Sequence, residues 1–120
     1  MRDVLSITKA LSDQSRLRAL LAVKDGELCV CQIIEVLGLS PATVSKHMDI
    51  LERARLVQRR RHGKWRFYRL TDDATERAAT KALEWVLGEL QGDPQLNDDA
   101  RKIRKVRKQD LEELSACYRS

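Results

Sequence analysis

The sequence predicts a mainly α-helical fold with a small β-hairpin, and three observations support it. Apolar residues recur at helical spacing along most of the chain. A turn containing Gly38 separates two short helical segments. Two strand-like runs rich in aromatic and basic residues flank Gly63. A chain of 120 residues is enough for one modest core.

The composition restricts the class of protein before any motif is considered. The chain is 42% hydrophobic and 34% charged, which argues against disorder, and its net charge of +5 favours an anionic partner. Three cysteines are too few for a disulfide framework. Met1–Ser6 has no signal-peptide core, and no apolar run is long enough to cross a membrane. We therefore expect a cytoplasmic protein with reduced thiols and no membrane contact.

Two amphipathic helices are predicted at the start of the chain. The first has one face formed by Val4, Leu5, Thr8 and Leu11. Ser12 or Asp13 can cap the second, which carries Leu17, Leu20 and Leu21. Gly26 is a C-terminal stop signal for that helix.

The next two helices form a helix-turn-helix. Ile33, Ile34 and Leu37 make a short helix that Gly38 closes. Ser40 caps the following helix, and Pro41 occupies its first position, where no hydrogen-bond donor is lost. Its inward-facing residues are Val44, Met48 and Leu51.

The outward face of that second helix suits DNA recognition. Short and polar side chains near a helix N-terminus can approach base edges closely. Thr43, Ser45 and Lys46 are the candidates for such contacts. Asp49 on the same face could repel a phosphate or accept a hydrogen bond from a cytosine amino group.

A basic hairpin follows directly and completes a winged helix-turn-helix. Its strands are predicted at Leu56–Arg61 and Lys64–Leu70, around His62 and Gly63. Five basic residues cluster at its tip: Arg59, Arg60, Arg61, Lys64 and Arg66. Such side chains can neutralise phosphates and make DNA affinity strongly dependent on salt. The alternative is an ordinary solvated hairpin.

The rest of the chain is predicted to be helical. Thr71 or Asp72 caps a helix with Ala78, Ala82 or Leu83, Val86 and Leu90 on one side. Gly92-Asp93-Pro94 breaks it, and residues 97–118 form a last helix. We divide the chain into a DNA-binding and dimerisation domain, 1–92, and a helical extension, 93–120. The basic run from Arg101 to Lys108 either extends the DNA footprint or is a solvated face.

The thiols are the strongest pointer to a ligand. Cys29 and Cys31 lie one residue apart, about ten residues before the recognition helix, and soft ions prefer thiolates. A pyramidal trivalent ion suits three thiolates, and Cys117 is the remaining cysteine. In an ideal helix two such side chains diverge by about 200°, whereas in a strand they share a face. Metal sharing therefore requires Cys29–Cys31 to be extended, or the start of the helix to unwind.

Three other roles for the thiols are considered. They could pack as small apolar residues. They could sense oxidants, with Cys117 the better disulfide partner because a Cys29–Cys31 ring would be strained. A thiol enzyme is disfavoured, because the usual redox spacing is Cys-x-x-Cys.

The run from Glu27 to Leu70 resembles the ArsR/SmtB family of metal-responsive repressors, and most closely its arsenite-sensing branch. Three segments carry this resemblance: Glu27-Leu28-Cys29-Val30-Cys31, Leu39-Ser40-Pro41-Ala42-Thr43-Val44-Ser45-Lys46-His47-Met48 and Gly63-Lys64-Trp65-Arg66-Phe67-Tyr68-Arg69-Leu70. One departure stands out. The branch often has Asp after the second cysteine and a third cysteine one turn later, where this chain has Gln32 and Ile34.

The resemblance implies a homodimeric repressor that joins through its first helix and the helix after the wing. It implies binding to double-stranded operator DNA and release when arsenite or antimonite binds Cys29 and Cys31, with no catalysis. Because Ile34 stands where the branch has its third cysteine, Cys117 of the same chain or of the other subunit is the candidate for the third ligand. Zinc, cadmium or nickel sensing would use His and carboxylates on the helix after the wing, whereas His47 and His62 lie elsewhere. The expected DNA-binding residues are Ser40, Thr43, Ser45, Lys46, His47, Arg59, Arg60, Arg61, Lys64 and Arg66.

Overall fold

The structure is a computed structural model that describes residues 1–116, which form seven helices and three strands. None of these helices is long and apolar enough to cross a bilayer. In chain order the elements are α1 (Arg2–Leu11), α2 (Gln14–Ala22), β1 (Leu28–Cys29), α3 (Val30–Leu37), α4 (Pro41–Arg53), β2 (Val57–His62), β3 (Trp65–Leu70), α5 (Arg77–Glu89), α6 (Pro94–Val106) and α7 (Leu111–Ala116).

The predicted hairpin is confirmed and belongs to a three-stranded antiparallel sheet in the order β1-β3-β2. Within it, His62 pairs with Trp65 across a two-residue turn. Gly63 takes φ of 60° there, which the right-handed twist of a tight hairpin requires and which glycine adopts without steric strain. The third strand was not predicted as part of a sheet: Cys29 pairs with Phe67. The wing is thereby joined to the segment that carries the thiols.

The helix-turn-helix is confirmed with its predicted signals. Gly38 ends α3 in the left-handed conformation, with φ of 68°. The Ser40 hydroxyl oxygen caps α4 by accepting from the Thr43 amide at 3.2 Å. Val44, Met48 and Leu51 are fully buried. Their burial fixes which face of α4 remains outside.

A buried arginine joins α1, α2 and α4. Asp13 caps α2 by accepting from the Arg16 amide at 2.9 Å. The Arg16 guanidinium donates to the carbonyl oxygens of Ala10 and Lys9, both at 2.9 Å. These carbonyls lie at the end of α1, where a cation also opposes the helix dipole favourably. Arg16 therefore fixes the end of α1 against α2, and its guanidinium also lies 3.4 Å from the His47 Nδ1 atom of α4.

The helix after the wing begins later than predicted. Thr71 and Asp72 do not cap it, because α5 starts at Arg77. The Thr71 amide instead donates to the Leu56 carbonyl and continues the strand pairing. Asp73 then forms a local turn by accepting from the amide and hydroxyl of Thr75. Polar residues such as Thr71 and Asp73 could cap a helix equally well by sequence alone, but here they form strand and turn hydrogen bonds instead.

The predicted helix over 97–118 is two helices, and Tyr118 lies outside the described residues. Asp93 caps α6 by accepting from the amides of Gln95 and Leu96, so this helix starts earlier than predicted. Asp110 accepts from the Glu112 amide at 3.0 Å and starts α7. The gap in apolar spacing near Asp110 marks this break.

A buried ion pair fixes α6 to α2. Arg18 donates to both carboxylate oxygens of Asp99, each at 2.9 Å, and Gln95 donates to one of them at 3.1 Å. Asp99 is only 2% exposed. Because an unpaired carboxylate at this depth would be costly, the pair determines where α6 lies on α2.

We expect Asp99→Ala to destabilise the protein by about 2–4 kcal/mol, because it removes one partner of a largely buried pair. Asp98→Ala is the matched control, since it breaks only the exposed contact with Arg101 and should cost less than about 1 kcal/mol. Urea unfolding followed by circular dichroism measures both. Equal losses of stability in the two variants would show that the Arg18–Asp99 pair does not hold α6 in place.

Candidate thiol site and DNA-binding surface

The two thiols meet at the junction of strand β1 and helix α3. Cys29 is the extended residue before α3, with φ of −70° and ψ of 150°, and Cys31 lies in the first helical turn. Their sulfur atoms are 3.3 Å apart, and both residues are buried. The sequence predicted an extended Cys29–Cys31 segment or an unwound start of α3 for a shared ion. In the structure Cys29 alone is extended and Cys31 is helical, yet the two sulfurs already meet. An extended cap residue already directs its side chain back onto the first turn.

Gln32 fixes this turn. Its side-chain oxygen accepts from the Cys29 amide at 2.8 Å, which completes the first turn of α3. Its amide nitrogen donates to the Val106 carbonyl at 3.4 Å, at the end of α6. The residue that departs from the arsenite-sensing pattern therefore connects the thiol turn to the C-terminal helices.

The two thiols have opposite tendencies to ionise. The Cys31 thiol donates to Cys29, and this bond lowers the pKa of Cys29 to about 7, against burial and with help from backbone amides. The same bond, together with burial and the neighbouring charge, raises the pKa of Cys31. Near neutral pH, Cys29 is therefore partly ionised and its thiolate accepts from the Cys31 thiol, which favours Cys29 as a ligand.

A cavity of about 190 Å³ opens beside the sulfurs. Elements that are far apart in sequence form its walls. They contribute Cys29, Val30, Cys31, Ile34, Pro41, Ser45, Lys64, Trp65, Arg66 and Ser115. The recognition helix, the wing and α7 therefore all border the same space. Any ligand held by the thiols would lie against all three.

Helix α7 covers the thiol pair from the C-terminal side. Leu114 packs in one apolar cluster with Cys29 and Cys31, and Trp65 and Phe67 of the wing border it. Ser115 lines the cavity. Cys117, the third thiol expected from the sequence, lies outside the described residues.

The sulfur geometry fits a shared soft ion. Bonds of about 2.3 Å to one ion place two sulfurs about 3.3–3.8 Å apart, and the observed separation is 3.3 Å. Within residues 1–116, no group of three His, Cys, Asp or Glu side chains is arranged to hold a metal. Cys29 and Cys31 therefore offer two soft ligands, and a third ligand of these residue types is not supplied by residues 1–116.

The predicted residues of α4 point in two directions. Thr43 and Lys46 are exposed, as a DNA-reading face requires. Ser45 is half-buried and borders the thiol cavity. The His47 Nδ1 atom lies 3.4 Å from a guanidinium nitrogen of Arg16, which places this histidine against α2. Ser40 is exposed and its hydroxyl caps the helix.

The wing carries its basic residues in different environments. Arg61 is exposed, and no ion pair within the described residues involves it. Arg59 lies 3.6 Å from Glu52, and Arg66 borders the cavity. Arg60 bonds Glu27 at 2.6 Å, and Lys64 bonds Glu112 at 2.8 Å.

The sequence analysis missed Glu27 and Glu112, because both lie more than thirty residues from their partners along the chain. Arg60 holds the pKa of the Glu27 carboxyl below its usual range. Glu27 is therefore ionised wherever this bridge forms.

An apolar surface on α1 and α5 was predicted only in part. Val4 and Leu5 are 58% and 60% exposed, and Trp85 on α5 is 64% exposed. Trp85 was missed. Leu83 and Val86, which the sequence places on the apolar side of the helix after the wing, are buried in the chain's own core.

The fold, with its exposed α4 face and basic wing, defines a DNA-binding transcriptional regulator of the winged helix-turn-helix class. Residues 13–59 match the family described as bacterial regulatory protein, arsR family. A cadmium resistance transcriptional regulatory protein homologue from Staphylococcus aureus is 36% identical over 68% of this chain and 68% of its own. The chain belongs to the arsR family. Regulators of this family and fold are not enzymes, as expected from the sequence.

Two further likenesses support this membership. An arsenic resistance transcriptional regulator from Pseudomonas putida is 40% identical over 58% of this chain, which spans 58% of that relative's length. A homodimeric winged helix-turn-helix DNA-binding domain from Mycobacterium bovis, solved by NMR, superimposes with a TM-score of 0.60 at 29% identity. That match covers 75% of this chain and 82% of the solved one.

The hydrogen bond between the thiols predicts an effect on titration. In a Cys117→Ser background, we expect Cys31→Ala to raise the pKa of Cys29 from about 7, because the thiolate loses its donor while staying buried. The thiolate fraction at neutral pH should fall. Thiolate absorbance measured against pH tests this, with Cys29→Ala as the comparison. An unchanged titration of Cys29 would show that the two thiols do not interact.

Proposed function

We propose that the chain is an arsenite- or antimonite-responsive transcriptional repressor. As a dimer it binds operator DNA, and the metalloid releases it by binding Cys29, Cys31 and Cys117. The observation that carries this proposal is a pair of sulfurs 3.3 Å apart in a cavity bordered by both the recognition helix and the wing. The candidate ligand site and the candidate DNA-binding elements therefore border the same cavity.

The position of the cavity supports a direct route from inducer to DNA release. Ser45 belongs to α4 and Arg66 to the wing, and both border the cavity. A ligand that fills the cavity and bonds the sulfurs favours the arrangement of α4 and wing that accommodates it. If this arrangement fits DNA less well, the inducer lowers operator affinity. The size of the effect is limited by how much more tightly the inducer binds this arrangement than the DNA-bound one.

The proposed DNA contacts are of two kinds, base contacts from α4 and phosphate contacts from the wing. Thr43 and Lys46 lie exposed near the start of α4 and suit base or phosphate contacts. Arg59, Arg60, Arg61, Lys64 and Arg66 of the wing suit phosphates. Ser40 and His47 would help mainly by fixing the helix, because each already has a contact within the chain. Ser45 is half-buried beside the thiol cavity and would act there as much as at DNA.

Dimerisation is supported by the exposed apolar side chains of α1 and α5. Val4, Leu5 and Trp85 leave large apolar areas in solvent. A two-fold pairing through these helices would cover them and present two α4 helices to a pseudo-palindromic operator. The solved relative from Mycobacterium bovis is described as a homodimer.

Thiol chemistry favours a trivalent metalloid among the possible inducers. Three thiolates suit a pyramidal soft ion, and Cys117 follows Ser115, a residue of the cavity wall, by two positions in the sequence. Cadmium is a second candidate, since one relative is named for cadmium resistance. Oxidation is a third candidate, because the lowered pKa of Cys29 makes it a better nucleophile, although its burial opposes attack.

Lys46→Ala should weaken specific operator binding, because it removes an exposed cation from the start of the recognition helix. Arg61→Ala should weaken all DNA binding and reduce the salt slope by about 0.9 for each phosphate that the wing no longer neutralises. Lys81→Ala, which removes an exposed charge on α5, is the control. Fluorescence anisotropy with operator and scrambled DNA at several salt concentrations measures these effects. An unchanged slope for Arg61→Ala would remove the wing tip from the interface.

Cys29→Ser and Cys31→Ser should bind operator DNA normally but resist release by arsenite, because each loses one soft ligand. Cys117→Ser tests the third ligand in the same assay. Ile34 borders the cavity, so Ile34→Cys should restore release to a Cys117→Ser variant. Ile33→Cys should not, because Ile33 is buried in the core and does not border the cavity.

Parallel titrations with cadmium and with hydrogen peroxide identify the inducer class. Normal release by arsenite from a Cys29→Ser/Cys31→Ser variant would refute the proposed thiol site. Release by peroxide but not by arsenite would replace the proposal with oxidant sensing.

Trp85→Lys should shift the protein toward monomer, because it places a charge on the exposed apolar face of α5. Sedimentation at micromolar concentration measures the change, with Glu84→Lys as the control for adding a cation to α5. A wild-type monomer under these conditions would contradict the dimer.

A further inference from the structure

Two carboxylates, one just before β1 and one on α7, hold cations of the wing. Glu27 bonds Arg60, and Glu112 bonds Lys64. We propose that Glu27 and Glu112 compete with DNA phosphates for these cations and that the thiol site acts on the wing through these two bridges. The part that concerns the thiols rests on the proposed function.

Glu27 faces the wing from the position just before β1. Its two carboxylate oxygens accept from two nitrogens of the Arg60 guanidinium, at 2.6 and 3.2 Å. The guanidinium lies over the Phe67 ring, 4.7 Å from its centroid. Phe67 pairs with Cys29 in the sheet, and Glu27 precedes Cys29 by two residues. Two hydrogen bonds therefore hold the Arg60 guanidinium on the segment that carries Cys29.

Glu112 faces the tip of the wing from α7. Its carboxylate accepts from the Lys64 ammonium at 2.8 Å. The same helix packs Leu114 against Cys29 and Cys31, and Lys64 itself borders the thiol cavity. The charge at the wing tip thus depends on a helix that covers the thiols.

Both bridges are weak enough to exchange. Each is largely exposed, and exposed ion pairs contribute little to stability, so a DNA phosphate can replace the carboxylate. While the bridges persist, two wing cations are neutralised and two negative charges stand beside the DNA-facing strands. DNA binding must break these bridges or overcome the repulsion.

The thiol site can tighten these bridges because it lies between them. Cys29 is in β1 with Glu27 just before it, and Leu114 of α7 contacts the thiol cluster on the other side. A ligand that bonds the sulfurs and orders β1 and α7 holds both carboxylates on the wing. The inducer would then lower DNA affinity partly by keeping Arg60 and Lys64 from phosphates.

The test measures operator binding of the full chain without inducer, at several salt concentrations. Glu27→Gln and Glu112→Gln should each bind about two- to fivefold tighter at low salt. Each should steepen the salt slope by about 0.9, because one more cation reaches a phosphate. A change that only altered folding would not steepen the slope in this way.

Two controls isolate the bridges. Asp98→Asn removes the same charge and an exposed pair on α6, and should leave the affinity and slope nearly unchanged. Adding Lys64→Gln to Glu112→Gln should cancel the gain, since the released cation is gone. Unchanged affinity and slope in both glutamate variants, or an equal gain in Asp98→Asn, would overturn the competition.

The inducer arm then tests the coupling. Arsenite binding to the double variant Glu27→Gln/Glu112→Gln is followed directly by sulfur–arsenic absorbance. The ratio of operator affinities without and with arsenite should fall below the wild-type ratio, because removing the bridges should raise operator affinity more when arsenite is bound than when it is absent. An unchanged ratio would overturn the coupling. Wild-type protein that binds no operator, or binds no arsenite, would instead refute the proposed function.

Discussion

The structure depends on one turn, in which Cys29 belongs to a sheet and to a helix at once. Its backbone pairs with Phe67 of the wing, and the same residue caps α3 with the help of Gln32. Extended geometry at a cap turns the side chain toward the first helical turn, so Cys29 and Cys31 meet without distortion. Wing, helix-turn-helix and thiols are therefore fixed relative to one another by a few residues.

The electrostatics of the chain follow from this arrangement. The buried Arg18–Asp99 pair fixes α6, and the Gln32–Val106 contact brings its end to the thiol turn. The break at Asp110 then lets α7 fold back over the sulfurs, where Glu112 bonds Lys64 of the basic wing. A chain with a net charge of +5 thus contains local acidic partners beside the surface proposed for DNA.

Local signals in the sequence were reliable where nothing competed with them. Gly38, Ser40 and Pro41 specify the turn and the start of α4 through backbone conformation and capping alone. Gly63 does the same for the hairpin. Prediction failed where several polar residues could serve as caps. Neither Thr71 nor Asp72 precedes α5, because strand pairing and the Asp73 turn hold residues 71–75 out of the helix. Glu76 is instead the residue just before α5.

The sequence by itself determined the helix-turn-helix, the wing and the nearness of two thiols to the recognition helix, because these depend on neighbours in the chain. The pairing of Cys29 with Phe67, which brings the thiols to the wing, was decided by the tertiary structure. Only the tertiary structure decided that Ile34, Ser45, Trp65 and Ser115 border one cavity with the thiols. It also decided that Val4 and Leu5 stay outside while Leu83 and Val86 fill the core. Helical periodicity shows that a face is apolar but does not show what covers it. The partners of Arg60 and Lys64 depend on contacts between distant residues, which spacing along the chain does not encode.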